Sequence, residues 1–316
     1  MTNFTAPHFT DPDKAREHLE ALRWPQGPYC PHCGSFKAQR LPAQRGKATK
    51  AHPDGAIRAG VIQCNDCRKQ YSVTVATLFE RSKVPLNKWL LATFLLSSSK
   101  KGMSAHQLHR MLGVTYKTAW FMFHRIREAM REDDNADLGA NGGMVEVDET
   151  FIGRDPSKEQ KRGGAHHKMK VVTLVDRETG VARSRVVENI RIEEIGPIVR
   201  NNLAAEARLM TDELLLYRTL GRDYADHQVV SHGKEEYVRG EAFTNTVEGF
   251  FSIFKRGMKG IYQHCGKQHL HRYLAEFDFR YSNRIARGVD DTARTDQVLR
   301  GIGGRRLMYR RPSFAA

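Results

Sequence analysis

Four of the five cysteines in this 316-residue chain fall into two pairs, Cys30-Pro-His-Cys33 and Cys64-Asn-Asp-Cys67. Two residues between thiolates let both reach one tetrahedral ion at about 2.3 Å, and two such knuckles complete a four-sulfur shell. The spacing predicts a structural Zn²⁺ held by Cys30, Cys33, Cys64 and Cys67, and around it a zinc ribbon at the N-terminal end. Thirty residues separate Cys33 from Cys64, more than the roughly 15–20 of a plain ribbon. Residues 37–60, rich in Arg, Lys, Gly and Pro, read as an extended loop inserted there. Gly34 frees the backbone to turn around the metal. Two disulfides would use the same spacing, but the N-terminal residues are acidic and carry no apolar export segment, so a reducing compartment is expected. Cys265 stands apart and reads as a packed thiol.

Charge is the second constraint. Lys and Arg number 51 against 36 Asp and Glu, a net of +15, and the pI is about 9.7. Residues 1–140 carry +9, residues 141–238 carry −2 and residues 239–316 carry +8. A basic excess of this size points to a polyanionic partner, of which nucleic acid is the commonest. Basic flanks around a near-neutral middle suit a protein that grips phosphates and keeps its cation-holding carboxylates apart from the grip. The longest apolar stretch, residues 89–96, is far too short to span a bilayer, so no membrane role is expected. With 40% hydrophobic residues the chain can bury a sizeable core.

From Pro85 the apolar residues turn helical in period, with Leu86, Leu90, Leu91 and Phe94 three and four apart before a Ser-Ser-Ser-Lys-Lys-Gly stop at 97–102. Ser104 can cap a short helix carrying Leu108 and Met111, Gly113-Val114 makes a turn, and Thr115 can cap a longer helix through Trp120, Phe121, His124, Arg125 and Arg127. Beside a basic ribbon this reads as a DNA-binding helix-turn-helix, the alternative being an ordinary helical hairpin. Tyr116, Lys117 and Arg125 are assigned to DNA, and Trp120 and Phe121 to the core. Residues 131–143, acidic and then Asn- and Gly-rich, read as a linker.

Beyond the linker the period changes to two. Met144-Val-Glu-Val-Asp148 is expected as a strand closing on Asp148, with Glu146 on the same face. Residues 170–176 and 181–187 form a hairpin around Arg177-Glu-Thr-Gly180, residues 192–205 an amphipathic helix, residues 207–212 a strand closing on Asp212, and residues 227–231 a fifth strand. This α/β order outlines an RNase H-like sheet. A helix from Thr244 follows, on which Glu248 and Lys255 lie seven apart and share a face. Asp148, Asp212 and Glu248 can together hold two Mg²⁺ (or Mn²⁺) ions, one activating a water or 3′-hydroxyl and the other stabilising the leaving oxygen of an in-line phosphoryl displacement. Lys255 would hold a phosphate beside them. Glu149 should point to the opposite strand face, away from the ions, and His232 and His264 are left out of the triad.

These segments resemble the bacterial insertion-sequence transposases of the DDE class, in the subgroup with an N-terminal zinc ribbon and an RNase H-like catalytic domain. The resemblance rests on the two Cys knuckles, Val145-Glu-Val-Asp-Glu-Thr-Phe-Ile-Gly153, Met210-Thr-Asp212, Thr244-Asn-Thr-Val-Glu-Gly-Phe-Phe-Ser-Ile-Phe-Lys-Arg256 and His269-Leu-His-Arg-Tyr-Leu-Ala-Glu-Phe-Asp-Phe-Arg-Tyr281. Thirty-five residues separate Asp212 from Glu248, a spacing common in that class. The resemblance implies Asp148, Asp212 and Glu248 as metal ligands with Lys255 as the accompanying base, Asn245 being second choice for the third ligand. It implies double-stranded DNA as substrate, both inverted-repeat ends and target, a homodimer or larger assembly, and a bacterial cytoplasmic, nucleoid-associated location. No phosphate-binding P-loop occurs, in keeping with chemistry that needs no ATP. The expected organisation is a ribbon at 1–84, a helix-turn-helix at 85–135, a linker at 136–143, a catalytic domain at 144–285 and a basic tail at 286–316. Arg256 and the tail residues Arg305, Arg306, Arg310 and Arg311 would add phosphate contacts. A regulator that keeps the fold without catalysis, and a nuclease on the same fold, are the alternatives.

Overall fold

The computed structural model describes residues 4–48, 53–55, 57–131, 137–159, 164–231 and 238–307. The chain divides into two units, one of Met1–Ser98, Ala105–Ala129 and Asp291–Ala316, the other of Ser99–Ser104 and Met130–Asp290.

The first unit opens with helices α1 (Pro7–Thr10) and α2 (Pro12–Arg23). Asp11 starts α2 by accepting from the Asp13 and Lys14 amides at 2.7 and 3.0 Å, with Pro12 preset for the first turn. The cysteine-bearing part is a three-stranded sheet, β1 (Ala38–Arg40), β4 (Ile62–Cys64) and β5 (Gln70–Tyr71), in the order β1-β4-β5. The expected inserted loop carries β1 and an antiparallel pair, β2 (Gln44–Arg45) with β3 (Ile57–Arg58). Helix α3 (Leu86–Ser98) buries Trp89, Leu90, Phe94 and Leu96. Helices α4 (Ala105–Leu112) and α5 (Tyr116–Met130) are joined through Gly113 at φ +60°, and the Thr115 hydroxyl accepts from the Thr118 amide at 3.2 Å.

The stretch expected as a basic tail contains a helix, Asp291–Arg300, that packs on α3 and α2. Arg294, almost wholly buried, donates to the Ser97 carbonyl at 3.0 Å. Leu78 donates to the Ile302 carbonyl and Gly304 to that of Ala76. Within this stretch Arg287 also donates to the Glu178 and Arg177 carbonyls, and Arg305 to that of Glu128. Arg310 and Arg311 lie outside the described residues.

The second unit is a mixed five-stranded sheet between two helical layers. Its strands are β6 (Met144–Ile152), β7 (Met169–Asp176), β8 (Ala182–Val187), β9 (Arg208–Thr211) and β10 (Asp226–Val229), in the order β10-β9-β6-β7-β8. β6, β7 and β8 are antiparallel, whereas β9 and β10 run parallel to β6 and to each other. One sheet face packs Ile152, Val171 and Val175 against Val247, Phe250, Phe254, Leu274 and Phe277 of α8 (Asn245–Gly257) and α9 (Lys267–Ser282). The other packs Val145, Val147, Val172 and Leu174 against Ile195 and Val199 of α6 (Ile192–Arg200) and Tyr217 and Leu220 of α7 (Leu215–Leu220).

The expected strand end at Asp148 is corrected. β6 runs on to Ile152, because its antiparallel register with β7 continues through Asp148↔Thr173 to Ile152↔Met169. It is the neighbour β9 that stops, after Thr211. Helix α6 also ends sooner than its apolar period, at Arg200, after which Ala204 donates to the Leu138 carbonyl.

One buried ion pair docks α8 on the sheet. Glu146, 0% exposed, accepts from the Arg177 Nε at 2.5 Å and from the Val247 amide in the first turn of α8 at 2.9 Å. Arg177 also donates to the Glu241 and Phe243 carbonyls at 2.7 and 2.6 Å and lies 3.4 Å from the Phe243 ring centroid. Glu146 thus serves packing and stands apart from the acid cluster described below.

Candidate active site and metal centre

In the ribbon, the four predicted sulfurs lie within 4.8 Å of one another. The Cys30–Cys67 and Cys33–Cys64 Sγ pairs are each 3.6 Å apart. A tetrahedron with metal–sulfur bonds of about 2.3 Å has edges near 3.8 Å, so the donor set fits Zn²⁺. The His32 amide donates to the Cys30 sulfur and the Cys67 amide to that of Cys64, the inward-turned backbone of a knuckle. Gly34 takes the left-handed conformation (φ +78°), and in the second knuckle Arg68 takes it instead (φ +59°). Cys265 is half-buried against the core of the second unit and donates to the Gly266 carbonyl.

In the second unit, the parallel register pairs Glu146 with Met210. Two residues further along each strand stand Asp148 and Asp212, the latter in the turn just past the end of β9. Glu149 joins them: carboxylate oxygens of Asp148, Glu149 and Asp212 all lie within 4.8 Å of one another. The expectation that Glu149 points away is corrected by where the sheet stops. Glu149 does continue the face of Val145 and Val147, but with β9 finished both faces of β6 open onto the same space, and side chains from opposite faces converge there.

Tyr217 of α7, 0% exposed, donates its hydroxyl to Glu149 Oε1. Burial pushes the Glu149 carboxyl up to about 8, against the Tyr217 hydrogen bond and with added repulsion from Asp148 and Asp212. Burial likewise pushes the Tyr217 phenol well above its ordinary value, and the neighbouring Glu149 adds to it. Asp212 Oδ1 accepts from the Leu214 amide at 3.0 Å, and Asp148 Oδ1 from the Glu149 amide at 2.7 Å. Crowded, part-buried hard oxygens suit a divalent cation such as Mg²⁺ or Mn²⁺.

Glu248 and Lys255 line one cleft of about 390 Å³ together with Asp148, Glu149, Thr150, Phe251 and Ser252. Glu248 is exposed and accepts from the Thr244 hydroxyl at 3.1 Å. Lys255 Nζ lies 5.9 Å from the Phe251 ring centroid. Asn245 is the exposed first residue of α8 and does not line this cleft.

Of the residues assigned to DNA, Tyr116 and Lys117 are exposed on the first turn of α5, and Arg256 is exposed with its guanidinium on the Ser252 carbonyl and hydroxyl. Arg125 is corrected. It is 7% exposed, donates to the Leu307 and Glu80 carbonyls at 3.1 and 3.3 Å, and stacks on the Trp89 and Phe121 rings. Its guanidinium is used in the interior of the first unit. His232 lies outside the described residues.

Residues 140–282 match the ISXO2-like transposase domain family, and residues 10–70 match the transposase zinc-ribbon domain. The chain thus joins a transposase zinc-ribbon domain to an ISXO2-like transposase domain. A relative of this chain is an uncharacterized protein in transposable element ISH50 of Halobacterium salinarum. It is 27% identical over 290 residues, covering 86% of this chain and 91% of the relative. Among solved structures, the chain aligns with a chain of the simian T-cell lymphotropic virus intasome in complex with PP2A regulatory subunit B56 gamma. That alignment has 12% identity and a TM-score of 0.29, covering 60% of this chain and 65% of that one. It also aligns with a chain of the Drosophila P element transposase strand transfer complex, at 9% identity and a TM-score of 0.27, covering 70% and 64%. Among the described residues, no helix is long and apolar enough to cross a membrane.

Proposed function

We propose that the chain is a DNA transposase that binds the terminal inverted repeats of its own element, cleaves the ends and joins them to target DNA. One observation carries this reading: within the segment that matches the transposase domain, Asp148 and Asp212 approach across a parallel strand pair, while Glu248 and Lys255 line the cleft that opens beside Asp148. The sheet supports an RNase H-like identity for residues 144–285, since three antiparallel strands are followed by two parallel strands on the other side of the first. Residues 1–84 are read as the zinc ribbon, residues 85–135 as a helix-turn-helix and residues 136–143 as the join. Tyr116, Lys117 and Arg256 are the proposed DNA contacts.

Asp148, Asp212 and Glu248 would hold the divalent ions, with Asn245 second choice to Glu248. The ions, two Mg²⁺ or Mn²⁺, supply Lewis-acid stabilisation of the phosphoryl oxygens when bound. Lys255 would place its ammonium against a phosphate of the bound strand, and the basic flanks would hold the duplex through counterion release. In end cleavage a water oxygen bonds to phosphorus and the 3′-oxygen leaves carrying a proton, giving a free 3′-hydroxyl. In joining, that hydroxyl displaces a 3′-oxygen of the target, so bonds broken equal bonds made and no ATP is consumed. Two ends brought together require a dimer or larger assembly, acting on the bacterial nucleoid.

The test is a labelled duplex carrying the element's end, with Mg²⁺ or EDTA, for wild type and Asp148→Asn, Asp212→Asn and Glu248→Gln. Metal-dependent nicking and strand joining, lost in all three variants, is expected. An inactive Asn245→Ala with an active Glu248→Gln would transfer the third-ligand assignment to Asn245. Specific binding without cleavage under either metal would favour a regulator, and cleavage without joining a nuclease.

A further inference from the structure

The segment 212–217 does two things at one place. Its first residue, Asp212, belongs to the acid cluster, and its last, Tyr217, reaches back from α7 to Glu149 on β6. The Tyr217 ring is fully buried in the apolar layer with Val145, Val147 and Leu209. A phenol there requires a partner for its hydroxyl, and the partner it has is the one cluster carboxylate that comes from the far face of the strand. Three carboxylates within 4.8 Å repel one another once all are ionised, as ion binding requires. A half-buried glutamate with free torsions would relieve that repulsion by swinging toward water. A donor fixed in the core opposes the swing and leaves the carboxylate's remaining lone pairs for the cluster.

We infer that Glu149 is a further metal-holding carboxylate of this site and that Tyr217 is its positioning residue, anchoring it against Asp148 and Asp212 through the hydroxyl. The inference rests on the proposed metal-dependent reading of the same cluster. Tyr217 does not touch the reacting atoms. It orients a ligand, as outer hydrogen-bonding groups do at metal sites generally.

The test is Mn²⁺ binding to the full chain without DNA, followed by titration calorimetry and by the loss of the free-ion Mn²⁺ resonance. The variants are Tyr217→Phe, Glu149→Ala, the double variant, Asp148→Asn and Asp212→Asn, each checked by thermal melting without added Mn²⁺. Tyr217→Phe keeps the buried ring, so the core stays filled. Its Mn²⁺ affinity is expected to fall about 10–100-fold, with the loss absent in the Glu149→Ala background, where no carboxylate remains to be positioned. A purely structural role would lower affinity equally in both backgrounds, and that result overturns the inference. So does wild-type affinity in Tyr217→Phe or in Glu149→Ala while Asp148→Asn and Asp212→Asn lose binding; the metal-site reading then stands without it. Unchanged binding in all the acid variants removes both.

Discussion

Replacing Arg177 by Met tests whether the Glu146 ion pair seats α8. Glu146 is wholly buried, Arg177 is about nine-tenths buried, and their closest N–O distance is 2.5 Å. Methionine fills part of the space of the arginine stem but leaves the Glu146 carboxylate facing Val247 with no counter-charge. Breaking a buried pair from one side costs about 3–5 kcal/mol. The carbonyls of Glu241 and Phe243 lose donors as well, yet Glu241 is exposed and can turn to water. The expected loss is therefore about 3–5 kcal/mol, dominated by the stranded carboxylate. A double variant, Arg177→Met with Glu146→Leu, removes that charge and leaves the Val247 amide without its acceptor beside the same two carbonyls, a cost of about 1–3 kcal/mol. Urea unfolding should be followed by far-UV circular dichroism, because Trp24, Trp89 and Trp120 all belong to the other unit and their emission does not report on this one. Hydrogen exchange over 244–257 should quicken in the single variant. The reasoning fails if Arg177→Met stays within about 1 kcal/mol of wild type, or if the double variant is less stable than the single.

Three further outcomes follow from particular contacts. Metal analysis should find one Zn²⁺ per chain, and Cys64→Ser should lose it and raise the proteolytic sensitivity of residues 24–71; retention of zinc would contradict the four-sulfur assignment. Gly257→Ala places a Cβ 2.5 Å from the Phe277 ring and 2.7 Å from the Lys101 carbonyl, so the variant should melt lower by about 1–3 kcal/mol; an unchanged melt would show that α8 and α9 can separate freely there. Burial holds the His227 imidazole below its ordinary pKa, opposed by Asp226, and its Nε2 pairs with the Thr211 hydroxyl at 2.9 Å. The unfolded chain thus binds a proton more readily than the folded one, so this contribution is present above the unfolded value of about 6.5 and is lost as pH falls through it. Melting curves of wild type and His227→Asn should converge from pH 8 to pH 5; a constant difference would show that His227 stays in one charge state.

What the sequence displays best is anything set by local spacing. Cys30, Cys33, Cys64 and Cys67 assemble as their intervals demand, and the helices read from Pro85, Thr115 and Thr244 form near the expected bounds as α3, α5 and α8. Facing along β6 was also legible, since the period of two does set Glu149 opposite Asp148. Hidden from it was the length of the neighbouring strand. Only pairing shows that β9 stops at Thr211 while β6 continues, and that difference brings Glu149 into the cluster. Glu146 and Asp148 look alike in sequence, and Arg177 in the hairpin turn separates them by neutralising the first. Arg125 misleads in the reverse direction: a charge on a helix beside other charges reads as a phosphate contact, yet its partners are carbonyls from residues 45 and 182 positions away. The three acids assigned from sequence remain a proposal in which the cleft geometry favours Glu248 over Asn245.

The helix at 291–300 has a consequence for how the protein is made. Of its partners, α3 leaves the ribosome 193 residues before it and α2 268 residues before it, and the whole of the sheet-bearing unit is synthesised after α3. At 5–20 residues per second, the 161 residues from 130 to 290 take on the order of ten to thirty seconds. Through that interval the apolar faces of α2 and α3 wait for the helix at 291–300. A chain cut short before residue 291 would therefore injure the unit that holds α2 and α3, and leave the acid cluster on a chain whose other unit cannot close.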